Sequence, residues 1–499
     1  MIRRYKTGQC RHRMMLLPPS LDEYVSEGNP VRAIDAYVET LDLQTLGFQN
    51  TGPGGQVGQP PFPPDALLKL YLYGYLNRLH SSRRLECETV RNLEVMWLIE
   101  GLHPCYKTIA NFRKDNGAAL KASNKDFMLL CKQLGLYGGE QVGVDGSFFK
   151  GDTATAHSYT AKKLDDQLAA LEKKIKDYQR ALAEQDAADD RAGLGSLVED
   201  GALGEKIARL KAKQAEKQAL RERLEQSADR QISTVDPDAR LLSKHGKVTA
   251  GYNVQIAVDA KHKLIVASEV TQDGNDTGQL VPMLEKAQAV LHSEYLTGLA
   301  DVGYFSGEQA RQAEEKDFEI YVPVPNKGKA AAKAGRFARD QFHYEAEVDR
   351  YRCPQGDVLA PCGGLQEREG KRIQAYKSQV SACKACPLRS QCLSPKSRYK
   401  KIERWEHEGV VERHLQRMKN AGTAMKTRSQ LVEHPFGPLK HRAGIHHFWV
   451  RGLEKCRGEF GLMVLCYNLT RVLNMLGVDQ FRDYCAQRTE NGANNAALA

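Results

Sequence analysis

The sequence predicts a mixed α/β core behind an all-α N-terminal domain, interrupted by a helical hairpin and a small cysteine-containing insert. Apolar residues recur at helical steps as far as Tyr137, and the period turns strand-like near Gln141. A charged stripe of helical period then breaks in from Leu164.

In the N-terminal region, 1–137, the helical pattern covers Val31 to Leu43, Pro64 to Leu79, Arg83 to Leu98 and Thr108 to Leu134. Gly52-Pro53-Gly54-Gly55 and Pro60-Pro61-Phe62-Pro63-Pro64 interrupt it, and Pro63-Pro64-Asp65 suits a helix start. Core strands are predicted over 138–160 and 231–325. Gln141 to Ser147 is a short β-branched run. Gly251 to Asp259, with Tyr252, Val254, Ile256 and Val258 on one face, forms a hairpin with Leu264 to Val270. A helix near Thr277 to His292, a strand Gly298 to Ala300 running into Asp301, a helix from Ser306 and a strand Glu319 to Val324 complete the order.

Between these parts, 161–230 reads as an antiparallel helical hairpin. Leu164, Leu168, Leu171, Ile175, Tyr178 and Leu182 form one stripe, Leu203, Ile207, Leu210, Leu220 and Leu224 a weaker one, and Gly193-Leu194-Gly195-Ser196 reverses the chain. It reads either as a clamp for DNA or a second subunit, or as a solvated spacer. The segment 326–401 is a basic, cysteine-bearing insert, 402–476 is helical again, and 477–499 is a polar tail whose end, from Arg488, is expected to fray.

With 499 residues the chain exceeds a single core, and 72 Lys and Arg against 62 Asp and Glu leave a charge of +10, which favours a polyanionic partner. No apolar run reaches the ~18 residues of a membrane span, and the Met14 to Leu17 run is too brief for a signal sequence, so a cytoplasmic protein is expected. Twelve cysteines without a secretory signal point to a reducing compartment. Cys10, Cys87, Cys105, Cys131, Cys456, Cys466 and Cys485 read as small core residues.

Phosphodiester chemistry with divalent ions needs carboxylates brought together from separate elements. Asp145 and Asp301 each follow a short apolar strand and precede a glycine within two residues. Alone, each is explained by a turn; as a pair on one inferred sheet they point to a metal site.

Val144-Asp145-Gly146-Ser147, Gly251-Tyr252-Asn253-Val254-Gln255, Ala300-Asp301-Val302-Gly303-Tyr304 and Val432-Glu433-His434-Pro435-Phe436-Gly437 resemble, in order, the DDE transposases of bacterial insertion sequences. Pro64 to Tyr75 and Ser81 to Glu86 look like an InsH-like N-terminal domain, and Arg451 to Lys455 with Tyr467-Asn468-Leu469 resemble the closing segment. The resemblance implies an RNase H-like core, with Asp145, Asp301 and Glu433 as catalytic and metal-binding acids and two Mg²⁺ or Mn²⁺ ions as cofactors. It also implies double-stranded DNA, as terminal inverted repeats and target, for a partner, and a homodimer or higher assembly on paired ends.

Lys440 follows Glu433 by seven residues and Arg428 precedes it, as in a Tyr-Arg-Glu-Lys signature of related elements. Here the Arg stands one place too far from the glutamate, Met425 takes the tyrosine's place, and Pro435 predicts that the helix begins or kinks at Glu433. Glu459, in an apolar helix, is the rival third acid with a structural role expected. Asp152, Asp259, Asp273 and Asp276 read as turn or helix-start residues.

Cys353, Cys383, Cys386 and Cys392 read either as a structural Zn²⁺ site stapling an insert that lacks its own core, or as packing thiols. Lys440, Arg442, Arg428 and Arg451 are the candidate DNA-binding residues. Three functions compete: a transposase that cleaves and transfers strands, a catalytically inactive DNA-binding descendant, and a metal-dependent nuclease without strand transfer.

Overall fold

The computed structural model describes residues 20–52, 60–192, 200–227, 230–244, 246–326, 328, 332–368, 370–442, 444 and 447–497, with side chains of 185–192, 200–203, 441–442 and 491–497 excepted. The Gly193 to Ser196 reversal, Cys10 and the basic residues Lys327 and Lys329 lie outside the described residues.

The N-terminal region is helical, as its periodicity predicts. Pro30–Glu39 starts with Pro in its first turn while the Asn29 side chain accepts from Val31 N at 3.0 Å. Pro64–Leu76 is buried from Ala66 to Tyr75. Two of the predicted helices are each broken by an asparagine. Asn92 ends Ser82–Arg91 and caps Leu93–Leu98, accepting from Glu94 N at 3.0 Å. Asn116 divides Tyr106–Asp115 from Gly117–Gln133, its amide returning to Phe112 O at 2.9 Å. The amide side chain competes with the backbone for hydrogen bonds and so ends helices that periodicity alone would continue.

The chain then enters β1 (Gln141–Lys150), β2 (Ser158–Thr160), two long helices (Ala161–Ala192 and Asp200–Glu225), β3 (Gln231–Ser233), β4 (Arg240–Lys244), β5 (Lys247–Asp259) and β6 (Ile265–Thr271). Helix Leu280–Leu291, β7 (Leu296–Leu299), helix Gly307–Glu315 and β8 (Phe318–Tyr321) follow. The main sheet has six strands in the order β4-β5-β1-β7-β8, with β6 also paired to β5. β5 runs antiparallel to β1, β4 and β6, whereas β1, β7 and β8 are mutually parallel. Ala250 to Asp259 on β5 are all buried, as a central strand covered on both faces requires.

The two long helices pack as a hairpin whose base has its own small cluster of Tyr159, Leu164, Leu220 and Leu224. The cysteine-bearing segment corrects the sequence reading. It forms a five-stranded antiparallel sheet of β9 (His343–Glu345), β10 (Arg350–Arg352), β11 (Val358–Arg368), β12 (Lys371–Ser378) and β13 (Lys401–Trp405). Phe342, Tyr351, Leu359, Tyr376 and Ile402 give it a core of its own, so the argument that it needs a metal staple falls away. The sheet also takes Ile402 to Trp405 from the stretch expected to be helical.

Helices Glu408–Lys419, Ala424–Gly437, Leu453–Leu476 and Val478–Ala497 close the chain. Ala424–Gly437 carries Pro435 inside it and runs on into a π turn at Pro438–Arg442, so it neither starts nor breaks at Glu433. The tail is likewise docked at its start rather than frayed: Arg488 pairs with Asp126 at 2.6 Å.

Leu453–Leu476 lies along Gly117–Gln133, joining the ends of the chain. A Cβ on Gly458 would stand 2.3 Å from Gly117 O, so two glycines set this close approach. One apolar cluster runs from Val25 to Cys485 through the N-terminal helices and the sheet, so these helices share the core of the α/β part. Among the described residues no single helix is long and apolar enough to cross a membrane.

Candidate active site

β1 and β7 are parallel neighbours whose last pair is Gly143 with Leu299. Asp145 and Asp301 each lie two residues past that pair and so stand side by side just beyond it. Asp145 is not at the end of its strand, as the sequence suggested, since β1 continues to Lys150 against β5 with Asp145 opposite Ile256. Asp301 leaves the sheet at once and caps a short turn, Val302–Tyr304, its Oδ1 accepting from Gly303 N at 2.9 Å.

Leu431 and Val432 seat helix Ala424–Gly437 against Leu299. This seating presents Arg428 to the acids: Nη2 donates to Asp145 Oδ1 at 2.8 Å and stands 3.7 Å from Asp301 Oδ2. Burial raises Asp145 to about 6, with the Asp301 charge adding and Arg428 opposing. Desolvation therefore outweighs the ion pair.

Glu433 does not join them. It is exposed and accepts from Ser429 Oγ at 2.5 Å on its own helix. Five residues separate it from Arg428, which places the two about 140° apart around a helix. Among the described residues, no three His, Cys, Asp or Glu side chains are grouped so that they could hold a metal ion.

Lys440 reaches β1 from the π turn, donating to Ser147 Oγ and, at 3.0 Å, to Phe148 O. Burial, aided by Lys244 nearby, lowers its pKa. Arg451 pairs with Asp152, just beyond β1, at 2.8 Å, with both side chains about half exposed. The side chain of Arg442 lies outside the described residues. Of the four candidate DNA-binding residues, Arg428 and Lys440 thus contact β1, and Arg451 pairs just beyond it.

Glu459 has the structural role expected of it. It is fully buried, accepts from Tyr75 Oη at 2.7 Å and from Trp449 N at 2.8 Å, and lies 3.4 Å from Arg113. Asp276 was passed over as a helix-start residue, yet its Oδ1 accepts from Asn253 Nδ2 at 2.8 Å and Gln255 Nε2 at 2.6 Å beside the acid pair. The available signal was two amides on one face of a buried strand, where apolar residues are the rule.

The four insert cysteines, all among the described residues, are not grouped so that three of them could hold a metal ion. The Cys392 thiol is raised by burial and by the proximity of Cys383, Cys353 and Cys386. Cys353 and Cys392 pack on the insert core, and Cys383 Sγ lies 3.0 Å from Ser378 Oγ. Of the cysteines read as core, Cys131, Cys456, Cys466 and Cys485 are buried, whereas Cys87 and Cys105 are exposed.

Residues 19–115 match the family described as Transposase domain (DUF772), and residues 352–473 match the Transposase DDE domain. The two matched segments lie towards opposite ends of the chain. The matches are consistent with a DDE transposase of insertion-sequence type. The transposase DDE match includes Glu433, Lys440 and the four cysteines, while Asp145 and Asp301 lie outside both matched segments. No curated protein matches the chain in sequence. The cryo-EM structure of the piggyBac transposase synaptic complex with hairpin DNA aligns at 8% identity over 95% of this chain and 82% of that one, with a TM-score of 0.29, too low to show a shared fold.

Proposed function

We propose that the chain is a transposase that binds the ends of an insertion sequence as a homodimer or higher assembly, cleaves a DNA strand and transfers the freed 3′-hydroxyl to target DNA. The observation that carries this reading is the convergence of Asp145 and Asp301 on one cationic nitrogen, each two residues past the last pair of the parallel β1 and β7. The order β6-β5-β1-β7-β8, antiparallel over the first three strands and parallel over the last three, supports an RNase H-like core.

The two acids fit a divalent cation: both are oxygen donors, Asp145 stands on β1 and Asp301 caps the turn just past the neighbouring β7, and they already face a positive charge. When bound, Mg²⁺ or Mn²⁺ would lower the pKa of the attacking hydroxyl and offset charge building on the leaving oxygen. Asp145, on β1, and Asp301, at the turn that follows β7, would hold it. Arg428, drawn off the carboxylates, would turn to a DNA phosphate, and Lys440 and Arg451 would fix the strand along β1. Glu433, the third acid by resemblance, requires its helix to turn, because Arg428 and Glu433 cannot face the pair together.

Cleavage and strand-transfer assays on Asp145→Asn, Asp301→Asn and Glu433→Gln test the reading. Loss of both reactions in the two aspartate variants is expected. If those variants still join DNA ends, the reading is wrong. Cleavage without joining would favour a nuclease, and end binding without either reaction in the unaltered chain would favour an inactive DNA-binding descendant.

A further inference from the structure

Behind the acid pair lies a buried polar chain that neither the strand ends nor the matched domains assign. Asn253 and Gln255, both fully buried, stand on one face of β5, and both donate to Asp276 Oδ1. Gln255 Nε2 also donates to Asn253 Oδ1 at 3.1 Å. The other end of the Gln255 amide, Oε1, accepts from Tyr304 Oη, and Tyr304 is fully buried.

Tyr304 closes the turn that Asp301 caps, its N donating to Asp301 O at 3.2 Å. Thr277, next to Asp276, reaches Gly303 O of that turn at 3.5 Å. On the other side, Gln255 is the register partner of Gly146, the residue after Asp145. A Cβ on Gly146 would stand 2.7 Å from Asp276 Oδ1 and 2.4 Å from Gln255 Nε2, so only glycine leaves room for the network here. The Asp276 carboxylate is thus tied to β5, packed on β1 beside Asp145 and linked through Gln255 and Tyr304 to the Asp301 turn.

We propose that Asp276 is a positioning residue: acting through Gln255 and Tyr304, it sets the Asp301 turn against Asp145 and so fixes the separation at which the two acids receive a cation. An unpaired buried amide is costly, so the network holds one arrangement once all its members are satisfied. Asp301, on a turn of three residues with an exposed flank, has no comparable support from the sheet itself. The inference rests on the strand-transfer reading for its assay.

Four variants test it: Asp276→Ala, Asp276→Asn, Tyr304→Phe and, as reference, Asp145→Asn. Asp276→Ala is expected to lower the rate of end cleavage about 10–100-fold, with affinity for end DNA unchanged, and to diminish the thermal shift produced by Mn²⁺. Asp276→Asn keeps an acceptor oxygen for both amides and should recover most of the rate. Tyr304→Phe, which cuts only the Gln255 link, should lower the rate in the same direction, and it carries the test alone if Asp276→Ala fails to fold.

Activity within about two-fold of the unaltered chain in Asp276→Ala, or in Tyr304→Phe where that variant carries the test, would overturn the inference, as would an Asp276→Asn no better than Asp276→Ala. If Asp145→Asn still cleaves, the strand-transfer reading itself fails. If Asp145→Asn is inactive while Asp276→Ala is unimpaired, only the positioning role fails.

Discussion

The guanidinium of Arg428 lies 2.8 Å from the Asp145 carboxylate, and the same nitrogen is 3.7 Å from Asp301. A side chain from a late helix thus partly offsets the charge of two acids, one on β1 and one just past β7. Removing it leaves two carboxylates facing each other at a partly buried site. Arg428→Gln should destabilise the metal-free chain by roughly 1–3 kcal/mol, and millimolar Mg²⁺ should restore more stability to the variant than to the unaltered chain. Urea unfolding with and without Mg²⁺ reads this; equal Mg²⁺ effects on both proteins would count against a shared site.

Asp145 also gives the site a pH signature. Its folded pKa of about 6 lies above the ordinary 3.8, so the folded chain holds this proton more tightly than the unfolded one. The stability this contributes is complete below the ordinary value and is lost as the pH rises through about 6. In EDTA, Asp145→Asn should therefore be more stable than the unaltered chain by roughly 2 kcal/mol near neutral pH, with the gap closing towards about pH 4. A gap that is constant with pH would mean that burial does not dominate at Asp145.

Glu459 joins the N-terminal helices to helix Leu453–Leu476 through Tyr75 and Arg113, all three side chains being buried. Glu459→Ala leaves Arg113 buried without its counter-charge and should cost about 3–5 kcal/mol, while Glu459→Gln should cost less. Chemical denaturation measures both. A Glu459→Gln variant of unchanged stability that cannot cleave DNA would move Glu459 from structure to chemistry.

Gly458 makes a sharper mechanical test. Even a methyl group there meets Gly117 backbone atoms at 2.3 to 2.7 Å, and backbone cannot rotate aside. Gly458→Ala should cost about 1–3 kcal/mol despite its better helix propensity. A gain in melting temperature would show that the two helices are free to separate.

The cysteines bear on a metal independent of the acids. Because Cys353 and Cys392 pack on the insert core and no three of the insert thiols are grouped to hold a metal, Zn²⁺ added to the metal-free chain should leave the alkylation of Cys353, Cys383, Cys386 and Cys392 unchanged, and joint protection by about one ion per chain would overturn this. Thiols that react independently of Zn²⁺ would identify them as packing residues on the insert core.

Period and chemistry along the chain determined much of this molecule. The alternation of Tyr252, Val254, Ile256 and Val258 placed β5, and the acids that follow short apolar runs marked the two carboxylates that meet. The helical stripes around Leu164 and Leu220 located the hairpin. These features are legible because a strand or helix repeats its burial pattern locally. The sequence alone misjudged the insert, whose short strands of mixed composition reveal a core only when Tyr351, Leu359 and Tyr376 stack across three of them.

It also could not decide which residue of helix Ala424–Gly437 faces the acids. A heptad step links Glu433 to Lys440 in one dimension, but the helix's rotation is set by how Leu431 and Val432 pack on Leu299, and that rotation presents Arg428. Asp276 was hidden for the same reason. In sequence it is one more Asp before a helix, and its meaning comes from two buried amides and a tyrosine that only tertiary packing brings to it.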